Sequence, residues 1–202
     1  MKSIAIFDFD ETLIMHNSLP KLFGRFVARS RFPLYIASAL FDRRIMSGQY
    51  RKLIKEKLYR KALKGKSRKV VFEAGYQVCA SLRPIPEVVA EMFRQHHAGV
   101  EIWIVTASPQ EFVQGVVEGL DWPVKKVIGT SLNHRNDILD GTYNIECEYD
   151  EKVARFHTEN AKHGDNIVVV ASYGNPPQDE AVVHLGLDRY FVESGQLRQL
   201  SH

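Results

Sequence analysis

Residues 3–12 read SIAIFDFDET, an apolar run that ends in a cluster of acidic residues. The run Ser3–Phe9 is typical of a buried parallel strand, which is apolar on both faces. Because alternate residues of an extended segment point to the same side, Asp8 and Asp10 bring two carboxylates into one small space. Such a pair either binds a cation or divides into an acid and a base with separate pKa values. The alternative is an acidic loop that faces solvent.

Further apolar runs follow along the chain, and helical patterns separate them. The runs are Val100–Val105, Val127–Leu132, Asn166–Ala171 and a weaker one at Tyr190–Val192. Helical spacing of apolar residues covers Ile85–His96, Phe112–Leu120 and Glu151–His163. Strands that alternate with helices predict an α/β fold with a Rossmann-like, mostly parallel sheet and right-handed crossovers. Such sheets place their active sites at the carboxyl ends of the strands.

The stretch between the first two strands is far too long for a single crossover. Its apolar spacing indicates four helices, around Leu22–Val27, Pro33–Met46, Leu53–Ala62 and Val70–Leu82. We therefore predict that residues 15–82 form an inserted α-helical bundle that lies over the strand ends as a cap. Residues 1–14 and 83–202 then form the α/β core.

The composition is that of an ordinary globular protein, but the charge is unevenly divided. The chain has 202 residues, of which 45% are apolar and 25% are charged, and this excludes wholesale disorder. The net charge of +3 conceals 16 Lys or Arg and two acids within residues 20–70, against 11 basic and 22 acidic residues elsewhere. A basic insertion of +14 thus interrupts an acidic host of −11.

Several features predict a cytoplasmic location. The opening Met1–Phe9 runs directly into acids, unlike a signal peptide. The longest nearly apolar run, Phe32–Phe41, has ten residues, half of the roughly 20 that a membrane-spanning helix needs. Cys79 and Cys147 form no paired motif, which favours a reducing compartment.

Polar residues suited to phosphate chemistry follow the later strands. Thr106, Ala107 and Ser108 end the second strand before a helix, where a hydroxyl and main-chain N–H groups can bind an anion. The alternative is an ordinary helix cap, and Ser108–Glu111 also reads as a capping box with proline at the first helical position. Lys152 opens a later helix, and without context a lysine there is a solvated surface residue.

The fourth strand leads into residues 172–180, which read SYGNPPQDE. An acid in this loop could reach the same cation as Asp8. By itself, the segment reads as a Pro/Gly turn.

Together, in this order and at strand ends, these motifs resemble those of the haloacid dehalogenase (HAD) superfamily of phosphatases, over essentially the whole chain. The insertion after the first strand is similar to the subclass I cap of phosphoserine-phosphatase-like members. Residues 102–110, IWIVTASPQ, and residues 195–200, GQLRQL, are similar to segments of bacterial type C phosphatidylglycerophosphate phosphatases.

The resemblance implies a role for each motif residue. Asp8 would attack phosphorus and form an aspartyl-phosphate, and Asp10 would protonate the leaving oxygen and then activate water. Mg²⁺ would be held by the Asp8 carboxylate, the Asp10 main-chain carbonyl and an acid of the fourth motif. Thr106, Ala107 and Lys152 would bind the phosphoryl oxygens. The implied protein is an Mg²⁺-dependent phosphatase whose substrate is a phosphorylated small molecule or a lipid phosphate.

The fourth motif departs from the family pattern. Members usually present Gly-Asp with a second Asp four residues later, whereas here Asn175 replaces the first Asp and Asp179 keeps the second. Asn175 still offers a carbonyl oxygen to Mg²⁺ but removes one negative charge, so we expect weaker metal binding unless Asp179 compensates. Glu11 stands where glycine is common. The alternative function is a catalytically weakened relative that binds a phosphorylated ligand or a membrane surface.

Three interpretations of the basic insertion stay open. It can be a solvated bundle, a lid that attracts an anionic substrate, or a peripheral contact with an anionic membrane at the inner face. The apolar segment Phe32–Phe41 favours the third, because arginines flank it on both sides. These are Arg29, Arg31, Arg43 and Arg44. The scattered basic residues match no nucleic-acid module, which argues against nucleic acid as a partner.

Overall fold

The computed structural model describes residues 2–34, 37, 50–164 and 166–201. The helix predicted over Pro33–Met46 lies for the most part outside these residues, and so do Arg43, Arg44 and most of the apolar segment Phe32–Phe41. Among the helices of the described ranges, none is long and apolar enough to cross a lipid bilayer.

A six-stranded sheet forms the centre of the protein. The described strands are β1 (Lys2–Phe7), β2 (Glu101–Pro109), β3 (Val124–Thr130), β4 (Leu132–Arg135), β5 (Ile138–Tyr143), β6 (Ile167–Gly174), β7 (Asp188–Glu193) and β8 (Gln196–Gln199). The sheet has the order β3-β2-β1-β6-β7-β8, and all its neighbours are parallel except the antiparallel pair β7 and β8. The predicted α/β fold with a mostly parallel, Rossmann-like sheet is confirmed.

Helices cover both faces of this sheet. The α-helices with fully described bounds are α1 (Leu19–Phe26), α2 (Tyr50–Leu63), α3 (Arg68–Val78), α4 (Pro86–His97), α5 (Gln110–Gly119), α6 (Asp150–Ala161) and α7 (Glu180–Val183). Side chains of β1 alternate between the faces, as the period of a strand requires. Ile4 and Ile6 pack in the apolar cluster that includes Phe156 of α6. Ala5 and Phe7 pack in the larger cluster beneath α4 and α5.

Strands β4 and β5 form a separate antiparallel hairpin that the sequence analysis did not predict. The predicted single strand over Val127–Leu132 is wrong at its end, because the chain leaves the sheet after Thr130 and Leu132 begins β4. Asn136 and Asp137 form the turn of the hairpin, with φ angles of 49° and 66°. Positive φ at both central residues is what a two-residue hairpin turn needs, and Asn and Asp tolerate it.

Helix α3, the last helix of the predicted cap, crosses α5 of the core at very short range. A Cβ atom at Gly75 would lie 2.0 Å from the carbonyl oxygen of Phe112. A Cβ atom at Gly115 would lie 1.9 Å from the carbonyl oxygen of Phe72. Both positions therefore require glycine, because any side chain would force the two backbones apart. The predicted cap is thus fastened to the core at its carboxyl end.

Candidate active site

The carboxyl ends of β1 and β2, the loop after β6 and the first turn of α6 surround a cavity of about 250 Å³. The predicted site residues that line it are Asp8, Asp10, Thr106, Ala107, Lys152 and Asp179. They meet because neighbouring parallel strands end at the same edge of a sheet. Asn175 does not line this cavity, but its main chain is hydrogen-bonded to Asp179.

Lys152 joins two of the carboxylates. Its ammonium donates hydrogen bonds to Oδ1 of Asp8, at 2.6 Å, and to Oδ1 of Asp179. The three residues Lys152, Asp8 and Asp179 are buried, with exposed fractions of 2%, 3% and 1%. Burial alone would lower the pKa of Lys152, but the two carboxylates hold that pKa above its ordinary value. Lys152 is therefore a buried cation and not a solvated surface residue.

Asp179 is held on both oxygens. Oδ1 accepts from Lys152, and Oδ2 accepts from the main-chain N–H of Asn175 at 2.9 Å. Burial, with the nearby charge of Asp8, raises the pKa of Asp179 above its ordinary value. The carboxylate thus fixes both the lysine and the loop that follows β6.

The side chain of Asn175 faces the loop that follows β1. Its Nδ2 donates to Oε2 of Glu11 at 3.3 Å. Glu11 has a φ of 62°, in the left-handed region that glycine favours, which suits the glycine that is common at this position. The amide nitrogen of Asn175 is therefore directed to Glu11 and away from the cavity lining.

Asp10 is also held on both oxygens, but by uncharged groups. Oδ1 accepts from the main-chain N–H of Ser18 at 2.6 Å, and Oδ2 accepts from the Ser108 hydroxyl at 2.5 Å. Burial raises the pKa of Asp10 to about 6; the hydrogen bond from Ser108 opposes this rise, and the charge of Asp8 adds to it. Asp10 can therefore hold and release a proton near neutral pH, which a carboxylate on a solvent-facing loop would not do.

The predicted capping box at Ser108–Glu111 is wrong. Strand β2 continues to Pro109, α5 begins one residue later, and no side chain caps that helix at Pro109. The Ser108 hydroxyl binds Asp10 instead. The main-chain N–H of Ser108 donates to the hydroxyl of Thr106 at 3.1 Å, so Thr106 serves the strand end and not the helix cap.

Thr130, the last residue of β3, fixes the main chain at Ala107. The Thr130 hydroxyl donates to the Ala107 carbonyl at 2.6 Å and accepts from the main-chain N–H of Cys147 at 3.0 Å. This bridge, which crosses from β2 to the segment after β5, holds the residues that would face a phosphoryl group.

Residues of the predicted cap contribute to the site, although the sequence analysis did not single them out. Lys55 of α2 lines the cavity and pairs with Glu146, which follows β5. Asn17 also lines the cavity, and the next residue, Ser18, supplies the N–H that binds Asp10. Lys55 is one of 16 basic residues in the insertion, and no spacing distinguishes it from the others. Only the fold brings it to the cavity.

A second cavity of about 320 Å³ adjoins the first, and Asn17 lines both. Its lining includes His16, Lys21 and Arg83, and none of the described lining residues is acidic. Such a lining suits an anion.

Comparison with known proteins identifies the same architecture. A family model described as haloacid dehalogenase-like hydrolase matches residues 5–182 of the chain. No curated protein matches the chain at a significant level.

Several solved structures are similar in fold. A HAD family hydrolase from Salmonella enterica serovar Typhi is 14% identical to this chain, with a TM-score of 0.60. The similarity covers 91% of this chain but only 60% of that protein's length. A phosphoserine phosphohydrolase-like protein from Francisella tularensis is 20% identical, with a TM-score of 0.57 and coverage of 95% and 86% of the two chains. A substrate-bound phosphoserine phosphatase is 15% identical, with a TM-score of 0.56 and coverage of 92% and 83%.

Proposed function

Because the chain belongs to the haloacid dehalogenase-like hydrolase family, we propose that it is an Mg²⁺-dependent phosphatase that hydrolyses a phosphomonoester through an aspartyl-phosphate on Asp8. The observation that carries this proposal is the buried Lys152 between Asp8 and Asp179, next to an Asp10 whose pKa is raised to about 6. Two proteins of similar fold are described as a phosphoserine phosphatase and a phosphoserine phosphohydrolase-like protein, which supports phosphatase chemistry.

Asp8 is the nucleophile of the proposed reaction. A carboxylate oxygen of Asp8 attacks phosphorus, and the bond between phosphorus and the ester oxygen breaks. Asp10 gives its proton to the departing oxygen, so that the alcohol leaves as a neutral molecule. The ammonium of Lys152, the hydroxyl of Thr106 and the main-chain N–H of Ala107 bind the phosphoryl oxygens and stabilise their charge.

Asp10 acts again in the second half of the reaction. Now ionised, it takes a proton from water, whose oxygen attacks phosphorus and breaks the bond to Asp8. Phosphate leaves, Asp8 is again a carboxylate, and Asp10 is protonated for the next turnover. A pKa of about 6 suits both roles, because the group is neither fully protonated nor fully ionised near neutral pH.

The residues present fit Mg²⁺ in the type of their donor atoms. Mg²⁺ takes oxygen ligands, commonly one or two carboxylates with several waters. The Asp8 carboxylate, the Asp10 main-chain carbonyl and the Asn175 amide oxygen would hold it, with Asp179 as the residue that positions the loop of Asn175. Within the described ranges, no group of three His, Cys, Asp or Glu side chains could hold a metal ion, and the proposed ligand set accordingly includes main-chain and amide oxygens. Bound Mg²⁺ would supply positive charge opposite the phosphoryl oxygens.

The cap of the proposed enzyme comprises residues 15–82, and the core comprises residues 1–14 and 83–202. The contacts of Lys55 and Asn17 with the cavity support this division, because both come from the insertion. The close crossing of α3 and α5 would anchor the cap, while α1 and α2 cover the strand ends.

The proposed substrate is anionic and carries further negative charge beyond its phosphoryl group. The adjoining cavity, which Lys21 and Arg83 line, and the charge of +14 over residues 20–70 support this. A phosphorylated small molecule meets these requirements. A lipid phosphate meets them as well, and it would explain the basic insertion as a peripheral contact of a cytoplasmic protein with the anionic inner face of the membrane.

A second candidate function is a weakened relative that binds a phosphorylated ligand or a membrane surface without turnover. Asn175 favours this candidate, because it brings no charge to the metal site. Asp179 does not replace that charge in this arrangement, since both its oxygens are bonded to Lys152 and the Asn175 main chain.

Hydrolysis of p-nitrophenyl phosphate, with and without Mg²⁺, separates the two candidates. We expect the wild-type protein to release p-nitrophenol in an Mg²⁺-dependent reaction and Asp8→Asn to lose it, because the amide cannot attack phosphorus. Asp188→Asn, at the exposed start of β7, is the matched control and should keep the wild-type rate. Equal rates for the wild-type protein and Asp8→Asn would contradict the enzyme proposal.

Co-sedimentation with vesicles tests the lipid part of the proposal separately. We expect binding to vesicles that contain phosphatidylglycerol at low salt and weaker binding at high salt, because salt screens surface charge. Vesicles of phosphatidylcholine alone are the control and should not bind. Failure to bind either kind of vesicle would restrict the proposed enzyme to soluble substrates.

A further inference from the structure

The hydroxyl of Ser108 donates a hydrogen bond to the carboxylate of Asp10. We propose that Ser108 is a positioning residue, which holds the carboxylate of Asp10 in the orientation that protonates the leaving oxygen. This inference rests on the proposed function, in which Asp10 is the general acid.

Two hydrogen bonds fix the plane of the Asp10 carboxylate. The Ser108 hydroxyl donates to Oδ2 at 2.5 Å, and the Ser18 N–H donates to Oδ1 at 2.6 Å. Ser18 and Ser108 are buried, with exposed fractions of 0% and 1%, and their hydroxyl oxygens lie 3.3 Å apart. Each carboxylate oxygen has two lone pairs, and these bonds use one on each. The remaining lone pairs are left for exchange of a proton with substrate or water.

The two groups that donate to Asp10 belong to different parts of the chain. Ser18 immediately precedes α1, the first helix of the proposed cap, so its N–H belongs to the insertion. Ser108 lies near the end of β2 in the core sheet, and its own N–H is bonded to the Thr106 hydroxyl at 3.1 Å. Ser108 also lines the active-site cavity. The Ser108 hydroxyl is therefore the donor that comes from the same sheet as the nucleophile Asp8.

Loss of this hydroxyl would affect proton donation more than attack by Asp8. Without Ser108, Asp10 keeps only its interactions with the main chain and hydroxyl of Ser18 and can rotate away from the leaving oxygen. The loss of activity then depends on how strongly departure of the leaving group depends on its protonation. The parameter kcat/KM reports the steps up to phosphoryl transfer onto Asp8, so it excludes the later hydrolysis that all substrates share.

A series of substituted phenyl phosphates of similar size measures this dependence. For Ser108→Ala we expect kcat/KM to fall about 10-fold with phenyl phosphate, but only about 2-fold with p-nitrophenyl phosphate, whose phenol is a stronger acid. Ser172→Ala is the matched control, because its hydroxyl is also buried and has no hydrogen-bond partner among the described residues. It should change kcat/KM less than 2-fold for both substrates. Ser108→Thr restores the hydroxyl and should restore the wild-type dependence.

The outcomes separate this inference from the proposed function. An equal loss of kcat/KM for both substrates in Ser108→Ala would mean a structural role only, and no loss would mean no role; either result overturns the inference. Melting temperatures of the variants show whether the fold is intact, and if Ser108→Thr does not fold, the comparison of Ser108→Ala with Ser172→Ala still decides. A wild-type protein that hydrolyses none of the series would overturn the proposed function itself.

Discussion

At the scale of single residues, Lys152 balances buried negative charge. One ammonium offsets the two buried carboxylates of Asp8 and Asp179. Removing one partner from a buried ionic cluster leaves uncompensated charge, which costs about 3–5 kcal/mol. The stability of the folded protein and the chemistry of the site therefore depend on the same side chain.

Replacing Lys152 tests this dependence. For Lys152→Met we expect the free energy of unfolding at pH 7 to fall by about 3 kcal/mol and phosphatase activity to fall by about 10²-fold or more. Urea denaturation followed by circular dichroism measures the first quantity. Lys162→Met, at the exposed end of α6, is the control and should change stability little. An unfolding free energy that is unchanged in Lys152→Met would show that the cluster is not held as described.

Replacing Asn175 tests the missing charge at the proposed metal site. In Asn175→Asp the new carboxylate would lie beside Glu11, whose Oε2 is 3.3 Å from Nδ2 of Asn175, so the two would repel each other. Because Mg²⁺ relieves that repulsion, we expect added Mg²⁺ to raise the melting temperature of Asn175→Asp more than that of the wild-type protein. The Mg²⁺ concentration for half-maximal activity should fall as well.

The control for this change is Asn136→Asp, in the exposed turn of the β4–β5 hairpin. It adds the same charge away from the site and should leave the response to Mg²⁺ unaltered. If Asn175→Asp and the wild-type protein respond equally to Mg²⁺, then Asn175 is not at the metal site.

At the scale of elements, the crossing of α3 and α5 ties the proposed cap to the proposed core. Gly75→Ala would place a methyl group 2.0 Å from the Phe112 carbonyl oxygen, and this overpacking should lower the free energy of unfolding by about 3 kcal/mol. Gly24→Ala in α1 is the matched control, because a Cβ atom there meets nothing within 4 Å. Better helix propensity should stabilise it by up to about 1 kcal/mol. Similar effects of the two variants in chemical denaturation would contradict the close crossing.

Helix α4 is tied to β6 through Glu91. Its carboxylate accepts hydrogen bonds from Tyr173 of β6 and from Arg94 and Gln95 of its own helix. Burial alone would raise the pKa of Glu91, but these hydrogen bonds outweigh it and lower that pKa. Because the pKa of Glu91 is lower in the folded than in the unfolded protein, the ionised carboxylate stabilises the fold at pH values above the pKa of the unfolded state. This contribution is lost as the pH falls through the folded pKa.

The pH dependence of stability tests this link. We expect Glu91→Gln to be less stable than the wild-type protein by about 1 kcal/mol at pH 7. The difference should shrink as the pH falls through the lowered pKa of Glu91, because the carboxylate of the wild-type protein then takes up a proton. Glu118→Gln, on the exposed side of α5, should show little difference at any pH. A difference for Glu91→Gln that stays constant from pH 7 to pH 3 would contradict the role of the charge.

At the scale of the whole molecule, the charge of the chain divides along the same line as the proposed domains. Acidic residues are concentrated in the core, where carboxylates line the site, and basic residues are concentrated in the insertion. Lys55 shows how the two meet, because it reaches the cavity of the core and pairs with Glu146. A net charge of +3 gives no sign of this arrangement.

Much of the fold and part of the site could be predicted because they depend on local pattern. The apolar runs of β1, β2 and β6 indicate buried strands, and the α/β fold, the family and an enzyme of that family are confirmed. Parallel strands then bring Asp8, Thr106 and the loop after β6 to one edge without further information.

The remaining features depend on contacts between distant segments. Ser108 precedes a helix and has the local pattern of a cap, but Asp10, 98 residues away in the sequence, takes its hydroxyl. Lys55 likewise has no local signal. The β4–β5 hairpin is different, because Asn136 and Asp137 form a recognisable turn signal that the sequence analysis passed over.

The central claim is that Asp8 carries the phosphoryl group, and the mass of an acid-quenched Asp10→Asn variant tests it most directly. With p-nitrophenyl phosphate and Mg²⁺, this variant can still transfer the phosphoryl group, because p-nitrophenolate leaves with little help, but it cannot activate water. We predict that the variant gains the mass of one phosphoryl group on the peptide that contains Asp8, and that Asp8→Asn/Asp10→Asn gains none. A phosphoryl group on another residue, or turnover by a protein that never carries one on Asp8, would contradict the account.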